Sequence, residues 1–158
     1  MRSFLHRVGR VCCWPPASGK TTMLRDLCRL LGSRYRVSVV DERGELAACR
    51  QGIPTHDLGA MTDVFDGYPK AQGMQIALRV MTPDYIICDE LGSEAETTAV
   101  LASMNSGVSI LGTAHAGSLA QAERRPQLRC LLEAGVFRWA VLLGGCGQVV
   151  GIQRLQHD

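Results

Sequence analysis

The strongest constraint on this chain is one short run, Pro16-Ala17-Ser18-Gly19-Lys20-Thr21-Thr22, which matches the end of a phosphate-binding loop. In such a loop, glycine lets backbone amides turn toward a phosphate and lysine places an ammonium on the β- and γ-phosphates. The hydroxyl of Thr21 can ligate Mg²⁺. Lys20 and Lys70 are the only lysines among 17 lysines and arginines, so a lysine directly after Gly19 indicates a specific role.

The sequence around this run predicts a strand, a loop and a helix. Residues 11–13 are an apolar strand, and apolar residues at helical spacing follow over 21–31, so the loop opens onto a helix N-terminus that favours anions. The full pattern has its first glycine at position 14, where this chain has Trp14. The alternative is a Ser-Gly turn before an ordinary helix, with Lys20 as a solvated charge.

Length and composition predict a single α/β domain. The 158 residues are 46% hydrophobic and 20% charged, which excludes a disordered chain. No apolar run reaches the ~20 residues of a membrane span, and no signal peptide is visible. The net charge of +2 and the scattered arginines predict no nucleic-acid partner. Seven cysteines without a C-x-x-C pair favour core residues of a cytosolic protein over disulfides or a zinc site.

Hydrophobic periodicity predicts alternating strands and helices, which is typical of a mostly parallel sheet covered by helices. Strands are predicted at 11–13, 35–39, 85–88 and 108–113, and a terminal hairpin at 137–143 and 148–152. Helices are predicted at 21–31, 70–82, 94–105, 118–124 and 127–134. Alternation in 35–39 indicates a half-exposed edge strand, whereas continuously apolar 85–88 indicates a central one. Residues 44–69 are predicted to be a long functional or mobile loop.

Two acidic residues follow the predicted central strand. Asp89 and Glu90 emerge at the carboxyl edge of the sheet, where open α/β sheets bind ligands. At that position Asp89 is suited to hold Mg²⁺ through water, and Glu90 to polarise a water for attack on the γ-phosphate. The alternative is a plain strand end with solvated charges.

Two further strand ends carry polar residues at the same predicted edge. His115 follows the strand 108–113 and can sense the γ-phosphate or orient the attacking water. Asp41 and Glu42 follow the strand 35–39 and are candidates for positioning water or metal, while Arg43 can reach phosphate or a neighbouring subunit. The alternatives are a capping histidine and a solvated turn.

More motifs accompany the loop in chain order: Val40-Asp41-Glu42-Arg43, Thr62-Asp63-Val64, Asp66-Gly67, Pro69-Lys70-Ala71, Gly73-Met74, Asp89-Glu90-Leu91-Gly92, Thr113-Ala114-His115, Arg124-Arg125-Pro126 and Gly135-Val136-Phe137. Over about residues 11–143 this chain resembles the stage III sporulation protein AA family. That family looks like the secretion-type ATPases, hexameric motors of the RecA-like P-loop class.

The resemblance implies an α/β RecA-like P-loop NTPase, a three-layer sandwich with a mostly parallel central sheet and a C-terminal hairpin. The strand that ends at Asp89 is expected to be separated from the P-loop strand by the strand that precedes His115. The resemblance further implies Mg²⁺-dependent ATP hydrolysis at the subunit interfaces of a homo-oligomeric, hexameric ring. This ring would be cytoplasmic and peripheral to the membrane of an endospore former's mother cell, on membrane-embedded sporulation channel proteins.

By position, the resemblance also implies roles for individual residues. Lys20 and Thr21 match the phosphate and Mg²⁺ ligands, and Asp89-Glu90 matches the Walker B pair. Asp41-Glu42 corresponds to the acidic box of these motors, and His115 to their histidine box. With the rest of the loop 16–22, these are the expected catalytic, nucleotide-binding and metal-binding residues.

Several departures keep a second hypothesis open. Trp14 replaces a small residue, and Met61 and Ser93 stand where relatives often have arginine. Residues 1–158 are expected to be a P-loop ATPase domain without the family's N-terminal domain, as in a fragment or a truncated product. The alternative to a weakly active motor is a nucleotide-binding structural subunit with little hydrolysis. A phosphotransferase is disfavoured, because only Arg43 and Arg50 lie near the loop 44–69.

Overall fold

The computed structural model describes residues 11–14, for which only the backbone is considered, and residues 19–155. A seven-stranded sheet runs through the described part of the chain. Its strands are β1 Val11–Trp14, β2 Val37–Asp41, β3 Thr62–Asp66, β4 Tyr85–Cys88, β5 Ser109–Thr113, β6 Trp139–Leu143 and β7 Val149–Arg154. The spatial order is β3-β2-β4-β5-β1-β6-β7. Every neighbouring pair is parallel except the β6–β7 hairpin.

Five α-helices connect these strands. They are α1 Lys20–Gly32, α2 Lys70–Ile76, α3 Glu94–Asn105, α4 Leu119–Glu123 and α5 Pro126–Glu133. A π-helical segment, Ala77–Met81, continues α2, and a 3₁₀ turn, Gly145–Gly147, joins β6 to β7. The helices and the terminal hairpin predicted from periodicity are all present, with boundaries shifted by a few residues.

Two apolar clusters give the molecule three layers. On one face of the sheet, Leu24, Cys28 and Leu31 of α1 pack against alternate residues of the central strands. On the other face, residues of α2, α3 and α5 pack against the intervening strand residues. Because successive side chains of a strand point to opposite faces, the buried strand β4 contributes to both clusters. Burial on both faces explains why its sequence is continuously apolar.

One end of the sheet differs from the prediction. All five residues of β2 are buried, and β2 lies between β3 and β4, so the predicted edge strand is an interior strand. The polar Ser38 makes the sequence of β2 alternate as in a half-exposed strand, but Ser38 is fully buried. The edge itself is β3, inside the segment 44–69 that was predicted to be a loop. Only Phe65 of β3 is buried, so this strand has too little apolar periodicity to be detected.

The topology brings four chain segments to one edge of the sheet. Parallel strands have their carboxyl ends on the same side, so the residues that follow β2, β4 and β5 lie there together with the start of α1. As predicted, β5 lies between β4, which precedes Asp89, and β1, which leads to the phosphate-loop run. The fold therefore assembles the candidate site from segments that are far apart in sequence.

A close backbone contact fixes the edge strand β3 against α1. The carbonyl of Gly32, the last residue of α1, accepts a hydrogen bond of 2.7 Å from the amide of Met61. A Cβ atom at Gly32 would lie 2.5 Å from the carbonyl oxygen of Leu58 and would also meet the hydroxyl of Thr62. A backbone carbonyl cannot rotate out of the way, so only glycine fits here.

We expect Gly32→Ala to lower the free energy of unfolding by about 1–3 kcal/mol through overpacking of this contact. Gly145→Ala is the matched control, since a Cβ atom there meets nothing within 4 Å, and it should change stability by less than about 0.5 kcal/mol. Urea unfolding measures both. Equal stability of the two variants would contradict the close-contact argument.

Candidate functional site

The phosphate-loop run reaches the described part of the structure at Gly19. Gly19 has φ 82° and ψ 21°, a left-handed conformation that suits glycine, and it is the N-cap of α1. Its carbonyl accepts a 3.0 Å hydrogen bond from the amide of Met23. Lys20, Thr21 and Thr22 open the helix, whose N-terminus carries a partial positive charge. The predicted loop residues Pro16, Ala17 and Ser18 lie outside the described residues.

Lys20 has an unusual environment for a lysine. Its side chain is on the first turn of α1 and the residue is only 7% exposed. Its Nζ atom is buried and has no hydrogen-bond partner among the described residues. A buried ammonium without a partner is costly, so this environment fits an anion bound beside it.

Asp89 connects the phosphate-loop helix to the neighbouring strand. The hydroxyl of Thr21 donates to Asp89 Oδ2 at 3.2 Å. The hydroxyl of Thr113, the last residue of β5, donates to the other carboxylate oxygen, Oδ1. Thr113 is fully buried and also accepts a 2.8 Å hydrogen bond from the amide of Glu90. Thr113 therefore orients both acidic residues, a role that the sequence analysis had not assigned to it.

Glu90 turns its carboxylate toward two cationic or polar partners. Its Oε2 lies 2.6 Å from Arg43 Nη1, and its Oε1 lies 3.0 Å from His115 Nε2. The backbone of Glu90 has φ +50°, the left-handed region that non-glycine residues adopt at a cost. Three residues proposed from three separate strand ends are thus in contact at the carboxyl edge of the sheet.

Lys70, at the start of α2, lies beneath this turn and was missed as a site residue. Its ammonium donates to the carbonyl oxygens of Asp89 and Glu90 at 3.2 and 2.5 Å. It also forms an ion pair of 3.1 Å with Glu96 of α3. Glu42 is more distant, with Oε2 at 3.9 Å from the same ammonium. The scarcity of lysine was the one sequence signal that could have singled out Lys70.

Glu96 itself is held by a capping box at the start of α3. Its Oε2 accepts hydrogen bonds from the amides of Gly92 and Ser93 at 2.8 and 3.1 Å, while Ser93 Oγ accepts one from the amide of Glu96. Burial alone would raise the pKa of the Glu96 carboxyl. The two amide hydrogen bonds and the Lys70 ammonium outweigh it and hold that pKa below its ordinary value of 4.5.

The carboxylate of Asp41 is bonded to the loop that follows β2. Its Oδ1 accepts from the amide of Glu45, and its Oδ2 from the amides of Leu46 and Ala47, at 2.8–3.1 Å. The residue is 3% exposed. These contacts order the loop after β2, whereas the neighbouring Glu42 remains at the rim. Asp41 and Glu42, predicted as a pair, thus have different surroundings.

The atoms at this edge that could bind a metal ion are oxygens, and within the described part of the chain they do not form a complete set of protein ligands. Among residues 19–155, no group of three or more His, Cys, Asp or Glu side chains is arranged to hold a metal ion. Mg²⁺ is commonly bound by one or two carboxylates together with substrate phosphates, so the Thr21 and Asp89 oxygens fit that ion. None of the described helices is both long and apolar enough to cross a membrane.

Comparison with known proteins identifies the family. The profile described as "Sporulation stage III, protein AA" matches residues 6–157. Stage III sporulation protein AA of Bacillus subtilis is 41% identical over 129 residues, covering 78% of this chain and 42% of that protein. This chain belongs to the sporulation stage III, protein AA family. The resemblance inferred from the motifs is confirmed.

Another relative of this chain is the protein of Cyanidium caldarium named "Uncharacterized protein ycf45". It is 31% identical over 125 residues, covering 77% of this chain and 37% of the relative. The chain thus spans about 40% of the length of these curated relatives.

Solved structures with the same fold are motors and secretion ATPases. The pilus retraction motor PilT, solved with bound ADP, has a TM-score of 0.71 at 17% identity, covering 99% of this chain and 50% of PilT. The VirB11 ATPase of the Brucella suis type IV secretion system has a TM-score of 0.67 at 17% identity over 97% and 51% of the two chains. The Legionella pneumophila ATPase DotB has a TM-score of 0.65 at 20% identity over 90% and 43%. The predicted RecA-like α/β fold is confirmed.

We expect Asp41→Ala to lower the free energy of unfolding by about 3 kcal/mol, because three loop amides lose a charged acceptor. Glu45→Ala removes an exposed carboxylate from the same loop and should change stability by less than about 0.5 kcal/mol. Denaturant unfolding of both variants provides the comparison. A near-neutral Asp41→Ala would contradict the loop-ordering role.

The low pKa of Glu96 predicts a defined acid dependence. The folded state favours the charged carboxylate, so the stabilisation is fully present above the unfolded value near 4.5 and is lost as pH falls through the lower folded pKa. The stability difference between the wild type and Glu96→Gln should therefore be largest near neutral pH and should shrink below pH 4.5. Unfolding titrations at several pH values measure it. A difference that grows toward acid pH would contradict this assignment.

Proposed function

We propose that residues 1–158 act as a P-loop ATPase domain, the Mg²⁺-dependent ATP-binding and ATP-hydrolysing core of a ring-forming motor. The observation that carries the proposal is the 3.2 Å contact between the Thr21 hydroxyl and the Asp89 carboxylate, beside the buried Lys20 ammonium. These groups belong to segments nearly seventy residues apart, and together they offer a cation and two oxygen ligands at a helix N-terminus.

The phosphates of ATP are bound by the loop in this proposal. Within the loop 16–22, which begins at Pro16, the residues Ala17, Ser18 and Gly19 supply backbone amides, Lys20 pairs with the β- and γ-phosphates, and Thr22 adds its amide at the start of α1. The Lys20 ammonium, which has no hydrogen-bond partner in the described ranges 11–14 and 19–155, supports this, since a phosphate would supply an anion. Thr21 and Asp89 would hold Mg²⁺, which when bound neutralises charge on the phosphates.

Hydrolysis requires a base for the attacking water. As the water oxygen bonds to the γ-phosphorus, the bond to the ADP oxygen breaks and the water releases a proton. We assign the acceptance of that proton to the Glu90 carboxylate. To His115, 3.0 Å from Glu90 Oε1, we assign the orientation of this carboxylate and the sensing of the γ-phosphate.

Arg43 and the acidic pair after β2 are assigned separate tasks. The Arg43 guanidinium pairs with Glu90 Oε2 at 2.6 Å, so it must exchange this partner for phosphate before Glu90 can accept a proton. Glu42, 44% exposed at the same rim, remains a candidate for positioning water. For Asp41 we propose loop ordering in place of catalysis, because its carboxylate oxygens are bonded to three amides.

The assembly and its partners rest on the relatives. The matched structures include a pilus retraction motor and an ATPase of a type IV secretion system, and the family is named for sporulation. We therefore propose a homo-oligomeric, hexameric ring that completes the ATP sites at subunit interfaces. The ring would lie in the cytoplasm against membrane-embedded sporulation channel proteins, without a direct role in nucleic-acid binding.

The second candidate is a nucleotide-binding structural subunit with little or no hydrolysis. The Arg43–Glu90 ion pair favours it, because the guanidinium at 2.6 Å occupies Glu90 Oε2 and competes with an attacking water for that oxygen. Trp14, which ends β1 where the loop pattern has glycine, also favours it.

The deciding measurement is Mg²⁺-dependent phosphate release from ATP across a range of protein concentrations. We expect release per protomer to rise with concentration, Lys20→Ala to lose ATP binding, and Glu90→Gln to bind ATP but lose about 10²-fold or more of the rate. Glu123→Gln, which neutralises an exposed carboxylate at the end of α4, is the matched control and should remain active.

The two candidates give opposite results. ATP binding without release above the Glu90→Gln level would favour the structural subunit. Full activity of Glu90→Gln would reject Glu90 as the base, and a rate per protomer that is independent of concentration would reject interface-assembled sites.

A further inference from the structure

Lys70 is a mostly buried lysine that no expected role accounts for. Its side chain is only 12% exposed. Lysine is rarely buried unless a charged partner is present. It lies on the first turn of α2, away from the phosphate-loop helix, and its ammonium faces the turn that follows β4. Burying this charge must be balanced by specific interactions.

The acceptors around Lys70 match its donors in number. An ammonium has three N–H donors. Three acceptors lie within 3.2 Å of Nζ: the carbonyl oxygens of Asp89 and Glu90 and the Glu96 carboxylate. Two of these acceptors are backbone atoms of the acidic pair itself, so Lys70 contacts the main chain of Asp89 and Glu90 rather than their carboxylates.

The turn held by Lys70 is conformationally costly. Glu90 has φ +50°, and such strain persists only where the surroundings over-determine it. The amide of Glu90 is bonded to Thr113 Oγ1 at 2.8 Å, and its carbonyl is bonded to Lys70 at 2.5 Å. The two bonds fix the backbone on both sides of this residue, and thus the position from which its side chain extends to Arg43 and His115.

Glu96 fixes Lys70 in turn. Its Oε2 is occupied by the amides of Gly92 and Ser93, which leaves Oε1 for the ammonium at 3.1 Å. The capping box of α3 thus sets the position of a charge that acts on the end of β4. A neutral side chain at position 70 would leave the Glu96 carboxylate and two carbonyl oxygens without this donor.

We propose that Lys70, held by Glu96, is a positioning residue that fixes the strained Asp89-Glu90 turn and thereby sets the direction of the Glu90 carboxylate. Lys70 acts through the main chain and does not bind nucleotide. The expected effect of Lys70 on kcat rests on the proposed ATP hydrolysis. Its expected effect on the conformation of the Asp89-Glu90 turn does not.

The kinetic test compares Lys70→Met with Lys70→Arg in the full chain. Lys70→Met keeps the length of the side chain and removes its charge, and should lower kcat about 10²-fold with little change in KM or ATP affinity, as for a ~1 Å misplacement of a catalytic group. Lys70→Arg keeps the charge and should recover most of that loss. Arg129→Met, which removes an exposed cation from α5, is the control and should leave kcat unchanged.

A double variant tests whether the two residues act as one unit. If Lys70 works through its pairing with Glu96, Lys70→Met combined with Glu96→Gln should lose no more activity than Lys70→Met alone. A double variant whose loss of activity equals the product of the two single losses would show that Lys70 and Glu96 act independently and would contradict this pairing. A Lys70→Met enzyme with kcat within about twofold of wild type, or a loss confined to KM, would overturn the catalytic consequence.

A spectroscopic readout separates this inference from the proposed function. In ¹H–¹⁵N spectra, Lys70→Met should shift the amide signals of Glu90 and Leu91, and Lys70→Arg should return them toward wild type, whether or not ATP is hydrolysed. If the wild type releases no phosphate, the proposed hydrolysis fails and the Glu90 amide signal alone decides on Lys70. Unchanged Glu90 and Leu91 signals in a folded Lys70→Met protein would overturn the positioning role.

Discussion

The carboxylate of Asp89 is the point at which the parts of this site are joined. One of its oxygens accepts from Thr21 on the first turn of α1, and the other accepts from Thr113 at the end of β5. The phosphate-loop helix, the central strand β4 and the strand between them are therefore linked through one side chain. This link is possible because parallel strands end at the same edge of the sheet, with helices starting from that edge. The positions of the charged side chains at this edge of the sheet depend on the link through Asp89.

The charged side chains near Asp89 differ in how completely they are paired with opposite charges or hydrogen-bond partners. Glu90 is paired with Arg43 and His115, and Lys70 is saturated by backbone and Glu96 acceptors. Lys20, in contrast, is buried without a partner among the described residues. Ion pairs in a partly buried site are favourable only when their hydrogen bonds are complete, which makes Lys20 the group whose environment most requires an added anion.

Sequence reasoning predicted the elements that have strong apolar patterns and short local motifs. Residues 85–88 and the helix at 21–31 were predicted correctly because burial on both faces or on one helical stripe leaves a clear pattern. The edge strand β3 was missed because only Phe65 in it is buried. Lys70 and Thr113 were not assigned their roles because their partners lie 19 or more residues away, and no local pattern records such contacts.

What the sequence alone determined is the chemistry: a glycine, a lysine and a threonine at the start of a helix, and two carboxylates after an apolar strand. Phosphate and metal recognition are known to use such residue types in such an order, so the pattern can be read without coordinates. Only the tertiary structure decided which carboxylate does what. Asp41 and Asp89 both end parallel strands, yet one accepts loop amides and the other faces Thr21. Hydrogen-bond partners supplied by distant segments made that choice, since a carboxylate is oriented by whichever donors surround it.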